Sequence, residues 1–157
     1  MSAKKIVITG GAGFVGTNLI KYFLEKTQLN IISIDNYSSS SKRNHIKSSR
    51  VRYIKAHTKN ISTLLNPKKI HSVFHFGEFA RIYQSFINMN ECIDSNTVGT
   101  NSIFNFCLKN KIKLHPKAKF YFELALELEK LNNNEAEFYF NKAVELNSDY
   151  NKLIIAL

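Results

Sequence analysis

Three glycines and one acid stand at spacings that suit a diphosphate and a ribose. Gly10, Gly13 and Gly16 set the spacing G-x-x-G-x-x-G within T-G-G-A-G-F-V-G, and Asp35 follows as the last residue of an apolar run. Such glycines permit a tight turn and let the backbone approach a pyrophosphate. They also let the next helix lie close on a sheet, with its first N–H groups directed at the phosphates. A carboxylate about 20 residues further on receives both ribose hydroxyls and repels a 2′-phosphate, which favours NAD over NADP. The pattern has this meaning only if a strand leads into the glycines and a helix leaves them.

The surrounding residues predict those elements. Lys4 to Thr9 reads as a short buried strand, Phe14 to Lys26 as an amphipathic helix, and Ile31 to Ile34 as a second strand ending on Asp35. A polar loop with serines at 38 to 41 follows and skirts the adenosine. Arg50 to Lys55 alternates polar and apolar side chains as a third strand does, a short helix at Ile61 to Leu65 is stopped by Pro67, and Ser72 to Phe76 makes a fourth strand before Gly77. Helical spacing returns with Phe79, Ile82, Tyr83 and Phe86, breaks at Asn88 to Asn90, and resumes from Val98 to Leu108. Strands separated by helices imply parallel pairing. The expectation is an α/β fold, the strand order 3-2-1-4 of an incomplete Rossmann-like, doubly wound sheet, then a C-terminal helical hairpin.

Charge divides the chain near residue 115. Residues 1–114 carry 17 Lys and Arg against 5 Asp and Glu, while 115–157 carry 5 against 7. The change of sign predicts two domains, 1–114 and 115–157. The basic part has its cations scattered among Asn and Ser rather than set in a stripe with stacking aromatics, a pattern that suits an anionic cofactor better than nucleic acid. Cys92 and Cys107 fit neither a disulfide framework nor a metal motif, and the helical pattern around Cys107 predicts a buried thiol. No apolar run approaches the ~20 residues of a membrane span and the first residues lack a signal peptide's apolar core, so a cytoplasmic location is expected.

Four blocks in order, T-G-G-A-G-F-V-G at 9 to 16, I-D-N at 34 to 36, V-F-H-F-G at 73 to 77 and N-T-V-G-T at 96 to 100, resemble the extended short-chain dehydrogenase/reductases. These are the NAD-dependent nucleotide-sugar epimerases and dehydratases, and the resemblance runs over residues 4–114. It implies that Phe14 and Val15 lie against the pyrophosphate and that Asp35 and Asn36 hold the adenosine ribose. Phe76, Gly77 and Ala80 line the cofactor beside strand four, and Asn96 reaches it from the following helix. Where the family carries Gly-Asp after strand three, with the Asp accepting from the adenine amino group, this chain has Ala56 and His57; a neutral imidazole can still accept there. Glu78 replaces a residue that is commonly small and is expected to face solvent.

The resemblance also implies a catalytic Ser or Thr after strand five and a Tyr-x-x-x-Lys pair on the next helix, the tyrosine acting as general acid and base. The one Tyr-x-x-x-Lys here, Tyr22 to Lys26, falls on the first helix, about 9 Å along it from the phosphates at ~1.5 Å per residue, and no catalytic role is assigned to it. Where a fifth strand should begin, Lys113 and Leu114 are followed by His115 and Pro116. From Lys117 two amphipathic acidic helices with a turn at Asn132 to Asn134 resemble one tetratricopeptide repeat over 117–148, which must cover its apolar face with the nucleotide half, a partner or another copy. The reading is an NAD-binding, catalytically incomplete member of the family, with a protein-interaction module built on the hairpin as the alternative. Strand four is left with an open edge.

Overall fold

The computed structural model describes residues 5–115 of the 157-residue chain; the tetratricopeptide-like hairpin expected at 117–148 lies outside the described residues. The chain runs through β1 (Lys5–Thr9), α1 (Phe14–Lys26), β2 (Asn30–Asp35), β3 (Val51–Lys55), α2 (Ile61–Leu64), β4 (Ile70–His75), α3 (Ile82–Ile87), α4 (Met89–Ile93), α5 (Thr100–Lys109) and β5 (Lys113–His115). The sheet order is β3-β2-β1-β4-β5. β1 pairs in parallel with β2, in register from Lys5↔Asn30 to Thr9↔Ile34, and with β4, ending at Thr9↔His75; β2 pairs in parallel with β3. The expected order 3-2-1-4 is present and continues by one strand. Residue 115 precedes Pro116, whose ring disfavours helix at the residue before it and leaves that residue extended. The neighbouring Leu114 packs on the core, so β5 lies beside β4 and takes up the edge expected to be open there.

Burial explains which strands are central. β1 and β2 are buried along nearly their whole length, as strands covered on both faces must be, whereas the outer β3 keeps its polar positions in solvent. Val7, Ile32, Ile34 and Val73 project to one face and pack against Ile61, Leu65, Ile103, Phe106 and Cys107. The Cys107 thiol, buried as its helical spacing predicts, is pushed up to about 11 by that burial. Ile6 and Ile8 alternate with Val7 and so face the opposite side. α1 is anchored there through Phe23, whose ring meets Phe74 of β4 at 5.2 Å. Arg50, ahead of β3, donates to the carbonyls of Leu24 and Thr27, satisfying the last turn of α1 with a cation as helix C-termini favour.

The second helical region differs from its expected outline. Phe79 belongs to a loop, α3 begins only at Ile82, and a π-helical stretch, Asp94–Gly99, joins α4 to α5. Ile82, Tyr83, Phe86 and Ile87 are exposed on α3, an unusual concentration of large apolar side chains at one surface. Glu78 is half-buried rather than solvent-facing.

One buried polar chain ties the carboxyl ends of the strands together. The Thr9 hydroxyl accepts from the backbone N–H groups of Phe76 and Gly77, both at 3.1 Å, and lies 2.6 Å from His75 Nδ1. With its acceptor side filled, the hydroxyl donates to Nδ1, so the neutral ring carries its proton on Nε2 and donates to Thr100 Oγ1 at 3.0 Å. Burial pushes His75 down to about 4, from an ordinary 6.5. A depressed histidine supports the fold fully above the unfolded value and loses that support as pH falls from about 6.5 toward 4. The loss should reach about 3 kcal/mol on this side chain alone. Urea midpoints at pH 7 and pH 4.5 for the native chain and for His75→Asn, which keeps an acceptor for Thr9, measure it: the native midpoint should fall markedly further than the variant's. Equal falls would show that His75 takes no part.

Candidate functional site

Gly10 leaves β1 with φ +67°, a conformation that L side chains rarely adopt, and a Cβ there would stand 2.5 Å from the carbonyl oxygen of Phe76. The glycine turn and the end of β4 thus touch backbone to backbone. Gly13 is the N-cap of α1 and supplies no side-chain cap, and no acid occupies the first turn. A Cβ on Gly16 would meet the Gly10 carbonyl oxygen at 2.3 Å, so only glycine lets α1 start this close to the turn. The result is a helix N-terminus with uncapped donors over a loop that carries no side chain of its own at Gly10, Gly11 or Gly13. Anions favour such a place through both hydrogen bonding and the helix dipole. Phe14 projects from it, 85% exposed, and Val15 is half-buried beside it.

Asp35 is joined to this turn. Its Oδ2 accepts from the Ala12 N–H at 2.9 Å, and its Oδ1 accepts from the Tyr37 N–H and the Ser40 hydroxyl, each at 2.8 Å. A carboxylate has about four acceptor positions, so three are engaged within the protein. Asn36 turns its side-chain oxygen back to the Ser38 N–H at 3.0 Å. Asn44, at the end of a 3-10 turn over Lys42–Asn44, donates to the Ala12 carbonyl at 2.7 Å, closing the 36–44 loop over the glycines. Tyr37 stands at φ 63° and its hydroxyl meets His45 Nε2 at 2.8 Å; burial, with Asp35 adding to it, pushes its phenol up.

The opposite wall follows β4. Phe76 and Gly77 are held by Thr9, while Asn96 grips the backbone of Phe79 with both ends of its amide, accepting from the N–H at 2.6 Å and donating to the carbonyl at 3.0 Å. Ala80 follows, exposed, on the same loop. The Asn96 side chain is therefore used to position this wall. At the end of β3, His57 caps the turn Thr58–Asn60 by accepting from the Lys59 N–H, and Lys59 pairs with Asp94 at 2.5 Å.

Gly10, Gly13, Phe14, Val15, Gly16, Asp35 and Asn36 thus gather at the carboxyl ends of β1 and β2, with Phe76, Gly77 and Ala80 next to them on the β4 side. Ser40, Asn44 and the Ala12 N–H were not singled out from sequence. The signal for them was the polar run behind Asp35, whose short side chains bond to nearby backbone and carboxylate. Tyr22, by contrast, is half exposed on α1, in a turn beyond the buried Leu19 and Ile20. Among the described residues no group of three or more His, Cys, Asp or Glu could hold a metal ion, and no helix is long and apolar enough to cross a membrane.

The model of the NAD dependent epimerase/dehydratase family matches residues 6–123. The chain is 34% identical over 125 residues to an uncharacterized protein of Methanocaldococcus jannaschii, covering 72% of this chain and 38% of that one. It is 29% identical over 113 residues to the ADP-L-glycero-D-manno-heptose-6-epimerase of Brachyspira hyodysenteriae, covering 69% and 35%. It therefore spans little more than a third of these relatives' length. Among solved structures, the Bordetella bronchiseptica enzyme WbmF in complex with NAD+ superposes with a TM-score of 0.64 at 26% identity, over 72% of this chain and 34% of that one. The epimerase Mth375 of Methanothermobacter thermautotrophicus gives the same TM-score at 24% identity, over 71% and 33%, and speaks to the fold alone.

Proposed function

The chain belongs to the NAD-dependent epimerase/dehydratase family, and from that premise we propose that its described part holds NAD for nucleotide-sugar chemistry whose proton-transfer groups lie outside residues 5–115. The observation that carries the reading is the 2.9 Å bond from Ala12 N–H to Asp35 Oδ2, which links a phosphate-type glycine turn to a ribose-type acid. The residues present fit the cofactor: a tight turn whose backbone contacts leave no room for a Cβ at Gly10 or Gly16, an uncapped helix N-terminus beside it, and a carboxylate on the next strand.

In this reading the diphosphate rests on Gly10 and Gly13 and accepts from the first N–H groups of α1, at Phe14 and Val15. Asp35 and Asn36 take the adenosine ribose, with the Ser40 hydroxyl giving way to a ribose hydroxyl at Oδ1. Phe76, Gly77 and Ala80 form the wall on the β4 side, held at its depth by Thr9 and Asn96. The bound dinucleotide would supply a hydride acceptor for a sugar carbon. Tyr22 and Lys26 lie on the wrong part of α1 to exchange a proton with it, so the described residues bind and orient without a general base. Calorimetric titration with NAD should give saturable one-site binding, and a nucleotide sugar added to the NAD-loaded chain should yield no NADH. Absence of binding at millimolar NAD would refute the reading. It would also favour a protein-docking role, for which, among the described residues, the exposed Ile82, Tyr83, Phe86 and Ile87 of α3 rather than the hairpin at 117–148 speak.

A further inference from the structure

A purine on a ribose held by Asp35 would lie over the carboxyl ends of β2 and β3, which are tied there by the Ala56 N–H donating to the Asp35 carbonyl at 3.0 Å. The side chains at that end are His57 and Thr58, with Asp94 and Ser95 behind them on the π-helical stretch. The ring nitrogens of His57 and one oxygen of Asp94 are committed within the protein. His57 Nδ1 accepts from the Lys59 N–H at 3.2 Å. In the neutral ring the proton then sits on Nε2, which faces Ser95 Oγ at 3.4 Å and Asp94 Oδ2 at 3.5 Å. Burial lowers the pKa of His57, with Asp94 opposing and Lys59 assisting, which keeps the ring in this neutral form. Thr58 is buried, and its Oγ1 lies 2.2 Å from where a Cβ on Gly99 would stand, so the hydroxyl is turned under that glycine. Asp94 Oδ2 is taken by the Lys59 ammonium.

The end of β3 therefore offers an exocyclic amine no free acceptor on His57, and the Thr58 hydroxyl, though without a hydrogen-bond partner, is buried out of its reach. Resting on the dinucleotide reading above, we infer that this site holds the purine of its cofactor without distinguishing a 6-amino from a 6-oxo group. Recognition of the dinucleotide is carried by the diphosphate turn and by Asp35, and the base is accepted by shape. The position that removes the discrimination is His57, whose ring is locked by the turn it caps.

The test compares dissociation constants for NAD and for nicotinamide hypoxanthine dinucleotide, its 6-oxo analogue, on the full chain by calorimetry. The native protein should bind the two within about fivefold of each other, and His57→Ala should leave that ratio unchanged. His57→Asp retains a side chain able to cap the Thr58–Asn60 turn and adds a carboxylate acceptor, so it should favour NAD by about tenfold or more, the worth of one hydrogen bond to a charged group. A native preference for NAD beyond fivefold would overturn the inference, and its loss in Asp94→Asn would identify Asp94 as the acceptor instead. A His57→Asp protein that gains no preference would overturn it too, since residue 57 would then not face the base. Binding of neither dinucleotide would remove the reading of the site itself, an outcome distinct from binding without a preference.

Discussion

Asp35→Ala should weaken NAD binding by about a hundredfold or more, the equivalent of two charge-assisted hydrogen bonds to ribose hydroxyls. The same change should raise the relative affinity for NADP, because the carboxylate that repels a 2′-phosphate is gone while Lys42 and Arg43 remain on the exposed turn nearby. Part of the loss is indirect. Ala12, Tyr37 and Ser40 all donate to this carboxylate, so its removal also loosens the loop that closes over the glycine turn. Titration of NAD and NADP against both proteins separates the two contributions, since loosening alone lowers both affinities together and leaves their ratio unmoved. An Asp35→Ala protein that binds NAD like the native chain would dismiss the ribose role.

Gly10→Ala should cost about 3 kcal/mol or more of stability, and with it NAD binding at any temperature where the variant is folded. Two effects add. A residue with a side chain pays about 1–3 kcal/mol to hold a left-handed backbone, and the new methyl would stand 2.5 Å from the Phe76 carbonyl oxygen, an overlap against backbone that must be relieved by moving β1 or β4. The melting temperature should fall by about 10 °C or more. Gly13→Ala is the control: its Cβ would meet nothing closer than the Gly10 carbonyl at 3.2 Å and its φ is ordinary, so a fall as large as that of Gly10→Ala would mean that the turn is sensitive for some other reason.

The elements that place the site are legible in the residues because each is short and strongly patterned. The helix over Phe14–Lys26 emerges with the bounds its periodicity predicts, and Asp35 ends β2 as the apolar run before it implies. What the sequence concealed was where polar side chains would turn. The family resemblance sends Asn96 toward a cofactor, and in the fold its amide, set on the π-helical stretch, bonds both backbone groups of Phe79. His57 has an acceptor in principle, and only the turn that follows it decides that Nδ1 is used at once by Lys59. The fifth strand was hidden by Pro116, whose ring favours an extended residue 115 without any strand-like pattern after it in the sequence. Such outcomes depend on single local hydrogen bonds, which composition and periodicity do not encode.

The guanidinium of Arg50 grips the far end of α1 through the carbonyls of Leu24 and Thr27. A helix of 13 residues is a rod about 20 Å long, and a rod clamped at its tail has its tip aimed by the clamp. A swing of about 5° there would carry the leading turn sideways by nearly 2 Å on that length, more than the tolerance of any hydrogen bond at the tip. An arginine on the remote side of the molecule thus sets the aim of donors it never approaches, as a rudder post fixes the heading of a bow.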